Sequence, residues 1–184
     1  MKIRGTFYPN DIFLGSGVDL DFPREEFCER VTAGHFGHGV KILSGHVGKD
    51  VILGDYCISL GMLRGSFQAG KSCVFGNGCS IQGGVCGDQV TFGDGVLIKG
   101  DIEIGSYVQV GDKTSISGKG RIGDYVIIGA ACALESVEIE SGTVLGNHVF
   151  TEGNPKIVAG TLIPNGSLVL RRFSSASGIE VVPY

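Results

Sequence analysis

The chain has 184 residues, 15 basic against 19 acidic, and a formal net charge of -4. That length predicts one domain able to bury a core without disulfide staples, and that charge offers no basis for a nucleic-acid or anionic-membrane partner. A hydrophobic share of 42% excludes a disordered tail, while 32 glycines, over twice the usual share of roughly 7%, point to a backbone that depends on glycine.

The opening MKIRGTFYPNDIF has no apolar core and no small-residue cleavage site, so it does not read as a secretory signal. No apolar run of 18 residues follows anywhere, and the protein is expected to be soluble and cytoplasmic with no membrane partner. Residues 1–39 are taken as an N-terminal cap segment. Within it, DFPREEFCERVTAG (21–34) has an N-cap candidate in Asp21, an early Pro23, an acidic first turn and a terminal Gly34, which together predict a short helix covering the open end of the domain. GHFGHGVKILSGH comes next and carries His35, His38 and His46.

An internal repeat is predicted over 40–170. Val47-Gly48 and Leu53-Gly54 look like its first corners, the pattern blurs between Asp55 and Gly70, and Phe75, Ile81, Cys86 and Phe92 restore it. From Ile98 an aliphatic residue recurs every six positions through Ile104, Val110, Ile116, Ile122, Ile128 and Leu134. After a five-residue step to Ile139 the beat resumes at Leu145, passes Thr151, and returns at Ile157, Ile163 and Val169. Glycine often follows the aliphatic residue, and a small or β-branched residue often stands two before it, as Val96, Val108, Thr114, Val126, Cys132 and Thr143 do. Alternation in an extended strand puts those two positions on one face, and glycine tolerates a tight corner. Three such strands close a coil of 18 residues, so Ile98 should stack under Ile116 and Leu134. About seven coils at about 4.8 Å each give a length of about 34 Å. The remaining 171–184 form a tail whose IEVV reads as a strand.

Six cysteines occur with no C-x-x-C pair, so free thiols are expected. Cys73, Cys79 and Cys132 fall two before an inward residue and should act as small hydrophobes.

The segment IGSYVQVGDKTSISGKGRIGDYVIIGAACAL (104–134) resembles the hexapeptide-repeat family. The resemblance implies an all-β, left-handed parallel β-helix, a homotrimer, and acyl transfer from a thioester carrier, coenzyme A or acyl carrier protein, to a hydroxyl or amine of a small, sugar-like acceptor. In that family the base is an outward histidine near a subunit seam. His148 stands three after inward Leu145 and should point outward, and its run GNHV, with Asn147, resembles one used there. Lys113, Lys119, Arg121, Lys156, Arg171 and Arg172 are cations able to hold a phosphorylated carrier, and Lys156, Arg171 and Arg172 are expected to bind it. VAGTLIPNGSLVL (158–170) resembles the last coil of sugar-type acetyltransferases, although RRFSSASG follows it where that family has a glycine and a proline.

Two alternatives stay open. His35, His38 and His46 invite a zinc site like that of the γ-class carbonic anhydrases, but their separations are three and eight, whereas that pattern has a pair five apart. The other alternative is a non-catalytic trimeric scaffold whose coils only present surfaces to partners.

Overall fold

Short strands such as Gln109–Val110, Ile127–Ile128 and Val144–Leu145 turn one residue outward and the next inward, as alternation requires. Each pairs in parallel with the equivalent strand one coil on. The protein is described by a computed structural model over residues 2–3, 12–14, 18–20, 34–43, 46–47, 51–171 and 179–183. Among these there are strands and turns and no helix, and the strands form an all-β parallel solenoid.

Three inward columns follow from the pairing. The first wall stacks Phe36, Leu53, Ala69, Cys86, Ile104, Ile122, Ile139 and Ile157. The second stacks Ile42, Ser59, Phe75, Phe92, Val110, Ile128, Leu145 and Ile163. Val47, Leu63, Ile81, Ile98, Ile116, Leu134, Thr151 and Val169 form the third. All are buried, so the six-residue beat is the step from wall to wall of a closed three-walled coil, as predicted. The second wall is one sheet. The first and third merge into another because Leu97–Ile104 and Ser115–Ile122 run unbroken through the corner between them.

The blurred stretch, 55–70, is a regular coil and not an insertion. Its inward places are held by Ser59, Leu63 and Ala69, two of which are not large and apolar. The coil also steps only four residues from Ser59 to Leu63, with Gly61 in the corner against Cys79, where a Cβ would lie 2.7 Å from the Cys79 Cβ. Core volume is restored nearby: Phe67 stands two before Ala69, and its ring meets Phe75 edge-on at 5.6 Å while Phe75 stacks on Phe92 at 5.3 Å. Thr151, the other break in the beat, keeps its inward place and accepts a hydrogen bond from the Glu135 amide at 2.9 Å.

Antiparallel strands close the ladders. The tail strand Ile179–Pro183 pairs with Ser167–Arg171 of the last coil, and Lys2–Ile3 pairs with Val18–Leu20 at the other end. The predicted helix over 21–34 falls on residues 21–33, which lie outside the described residues, and Gly34, taken as its last residue, opens the strand Gly34–Phe36. That strand and Ile12–Leu14 continue the first wall before residue 40.

Ser59 is fully buried and its hydroxyl has no hydrogen-bond partner. An unmet buried hydroxyl costs about 1–3 kcal/mol, so Ser59→Ala is expected to raise Tm in a scanning calorimeter by about 2–4 °C for each kcal/mol recovered in a chain of this size. A lower Tm would mean that the hydroxyl is satisfied.

Candidate functional site

Where the second wall turns into the third, each coil from Phe75 onward makes a tight corner whose last residue takes a left-handed backbone. Lys113, Ala131 and His148 hold that place with φ of 57°, 55° and 56°. The His148 amide donates to the Ala130 carbonyl at 2.9 Å, one coil back. The imidazole therefore stands on an exposed edge of the solenoid, as the repeat predicts. Left-handed backbone costs a residue with a Cβ roughly 1–2 kcal/mol, and the ladder of inter-coil amide bonds offsets it.

Asn147 is engaged in that ladder. Its Oδ1 accepts from the Ala130 amide at 2.8 Å, and its own amide donates to Asn165 Oδ1 at 2.8 Å. Asp94 and Asp112 do the same lower in the column, accepting from the amides of Asn77 and Asp94. The side chain thus staples two coils and fixes the backbone that presents His148. This role was detectable in the sequence, because Asp94 and Asp112, and Asn147 and Asn165, are each 18 apart.

The predicted carrier-binding cations do not converge. Lys156 lies on the first wall, where Nζ meets Glu140 at 3.0 Å and Glu138 at 4.0 Å. The pair holds the exposed Glu140 carboxyl below, and the Lys156 ammonium above, their usual ranges, chiefly through their mutual hydrogen bond. Arg171 is in the last third-wall strand, and Arg172 lies outside the described residues. A cleft of about 330 Å³ opens beside Lys156, lined also by Arg121, Glu138, Glu140, Gly123, Ser141 and Ala159. Glu103, Arg121, Glu138 and Lys156 alternate in sign up that wall.

The three N-terminal histidines sit at separate places on the coil. His35 is in a first-wall strand paired with Ile52, His38 is exposed in the next corner, where its amide donates to Asp55 Oδ1 at 2.8 Å, and His46 is in a third-wall strand paired with Met62. Among the described residues no group of three or more metal-ligating side chains could hold an ion.

Cys57, Cys73, Cys79, Cys86 and Cys132 are buried free thiols. Being small is not their only use. Cys79 donates to the Gly93 carbonyl at 2.9 Å, Cys132 to Gly146 at 3.2 Å and Cys73 to Gly87 at 3.2 Å, and Thr114 does the same to Gly129 at 2.8 Å. The place two before the inward residue thus suits a small donor that can reach a corner carbonyl on the next coil.

No protein-family model and no curated protein matches the chain. Solved structures similar to it include a hexapeptide transferase family protein from Anaplasma phagocytophilum, at 14% identity and a TM-score of 0.36 over 90% of this chain and 74% of that one. Another is Arabidopsis UDP-N-acetylglucosamine acyltransferase, at 16% identity and a TM-score of 0.41 over 96% of this chain and 71% of that one.

Two outcomes are expected. Asn147→Ala removes the acceptor for the Ala130 amide and should cost about 1 kcal/mol, read as a lower urea midpoint at unchanged slope; an unchanged midpoint would leave the staple without energetic weight. Burial raises the Cys79 and Cys132 thiols above their ordinary pKa of 9.0. The stability tied to their neutral form is therefore present below pH 9 and lost as pH rises through the raised folded values. Between pH 7.5 and 10 the urea midpoint should fall further in the wild type than in Cys79→Val/Cys132→Val; equal falls would contradict it.

Proposed function

We propose that the chain is a hexapeptide-repeat β-solenoid and an acyltransferase working as a left-handed, cytoplasmic homotrimer. The observation that carries this is the placement of His148 on an exposed corner bordering the second wall, whose outward column is apolar over Ile127, Val144 and Leu162 and again over Ile58 and Val74, with Thr91 and Gln109 between them. Ile58, Val74, Ile127, Val144 and Leu162 face out there, Leu162 at 72% exposure. Apolar area of that kind favours coverage by another copy of the chain, which would turn the His148 corner into a seam. Among the described residues no helix is long and apolar enough to cross a membrane.

In this reading the neutral imidazole takes the proton from an acceptor hydroxyl or amine as its oxygen or nitrogen bonds to the thioester carbonyl carbon. The tetrahedral intermediate then breaks its C–S bond, and the imidazolium returns the proton to the leaving thiolate. Asn147 acts as a positioning residue through its staple to Ala130. Of the cations expected to hold a phosphorylated carrier, Lys156 on the first wall would do so by exchanging Glu140 for phosphate, apart from Arg171 on the third wall.

His148→Ala should cut thiol release from acetyl-coenzyme A, in the presence of sugar hydroxyl and amine acceptors, by roughly 10²-fold with Tm nearly unchanged. Light scattering should give three chains. Undiminished release would remove His148 from the chemistry, and no calorimetric heat at millimolar coenzyme A would favour the scaffold.

A further inference from the structure

At the corner between the first and second walls, residues in left-handed backbone stack one per coil: Gly39, Tyr56, Ser72, Gln89, Tyr107, Tyr125, Gly142 and Gly160. Amide-to-carbonyl bonds one coil apart hold the column, Tyr125 to Ser106 and Gly142 to Asp124 at 2.9 Å and Gly160 to Ser141 at 3.1 Å. Tyr107 and Tyr125 lie face to face, centroids 4.8 Å apart and planes 4° from parallel. The rings lean toward the N-terminal end: Tyr56 covers Gly39, so that a Cβ there would meet its Cδ1 at 2.8 Å.

Tyr125 therefore covers Tyr107 with one face, and its other face looks along the column at two glycines. Positions for a Cβ at Gly142 and at Gly160 have nothing within 4 Å, so the two corner positions above the ring are open. Tyr125 is 63% exposed against 44% for Tyr107. The charged cleft borders this slot, since Gly123 and Ser141 line the cleft and are chain neighbours of the Tyr125 and Gly142 corners. Lys156 there is engaged by Glu140 and Glu138, whereas Arg121, which lies between Glu103 and Glu138 in the wall, makes no ion pair among the described residues.

We propose that the Tyr125 face and the Arg121 cleft form a binding site for a small ligand made of a planar aromatic ring carrying one anionic group. The ring continues the tyrosine stack over Gly142, and the anion takes the Arg121 guanidinium. Base or ring stacking on an aromatic side chain is sequence-tolerant and strong enough to dominate a small ligand's affinity. A net charge of -4 disfavours a polyanion as the occupant. The cleft also holds Lys156, to which the acyl-transfer reading assigns the carrier phosphate, whereas His148 stands at the other edge of the second wall.

The test is a titration of the full chain, followed by ligand-observed NMR, with two ring-bearing probes, adenosine monophosphate and indole-3-acetate, and two ring-free ones, ribose 5-phosphate and inorganic phosphate. At least one ring-bearing probe should bind below millimolar, and the arm that binds identifies the anion as phosphate or carboxylate. Tyr125→Ala should weaken it about 10-fold or more. Gly142→Tyr should abolish it by filling the slot with the protein's own ring, at unchanged Tm, because Tyr107 and Tyr125 already adopt the same backbone with φ of 61° and 57°. Equal binding of ring-free probes, no binding of either ring-bearing probe at 10 mM, an oligonucleotide binding more tightly than the mononucleotide, or indifference to both variants with Tm preserved would each overturn the proposal.

Discussion

Amide-to-carbonyl hydrogen bonds between successive coils hold every residue beside its counterpart one turn away. Isolated strands of two residues have no stability of their own; they persist because each is bonded on both sides and turns one apolar side chain toward the axis. The bond from the Ile127 amide to the Thr143 carbonyl, 3.0 Å, and that from Gln109 to Val126, 3.0 Å, are members of one such series. Whatever occupies a corner or wall position is thereby stacked on the same position in the next coil, and chemistry in this protein comes in columns.

Those columns explain what could be read in advance. Inward isoleucines between Ile98 and Ile163 are spaced by the step from wall to wall and share one apolar environment, so periodicity alone located them. Residues 55–70 escaped because burial there is shared differently: Ser59 and Ala69 take inward places while Phe67 supplies the bulk from two positions before. Loss of two residues at the Gly61 corner also shifts the phase. The stapling role of Asn147 and the tyrosine pair were present as 18-residue separations, but outward positions vary too freely for a hydrophobic pattern to reveal them. Closure of the ladder by Ile179–Pro183 depends on an antiparallel return, which no repeat signal encodes. It also leaves Pro183, which lacks a donor, in the terminal strand.

Column logic also separates the two kinds of candidate residue. Asn147 belongs to a series of corner side chains, Asp94, Asp112 and Asn165 among them, whose oxygen accepts from the preceding coil's corner amide. A residue that shares its function with its column is structural by that test. His148 has no such company: its counterparts are Lys113, Ala131 and Gly166, so the solenoid does not require an imidazole there.

The same test applied to the other corner isolates Tyr125. Its counterparts on one side are rings or polar side chains that fill the column, and on the other side are two glycines that leave it empty. A corner can carry a tyrosine in this backbone, as Tyr56, Tyr107 and Tyr125 demonstrate, so sterics of the fold do not force the gap. An aromatic face left bare, next to a guanidinium that makes no ion pair among the described residues although Glu103 and Glu138 flank it in the wall, has the two features that a flat anionic ligand needs, and the coil supplies both from neighbouring rungs.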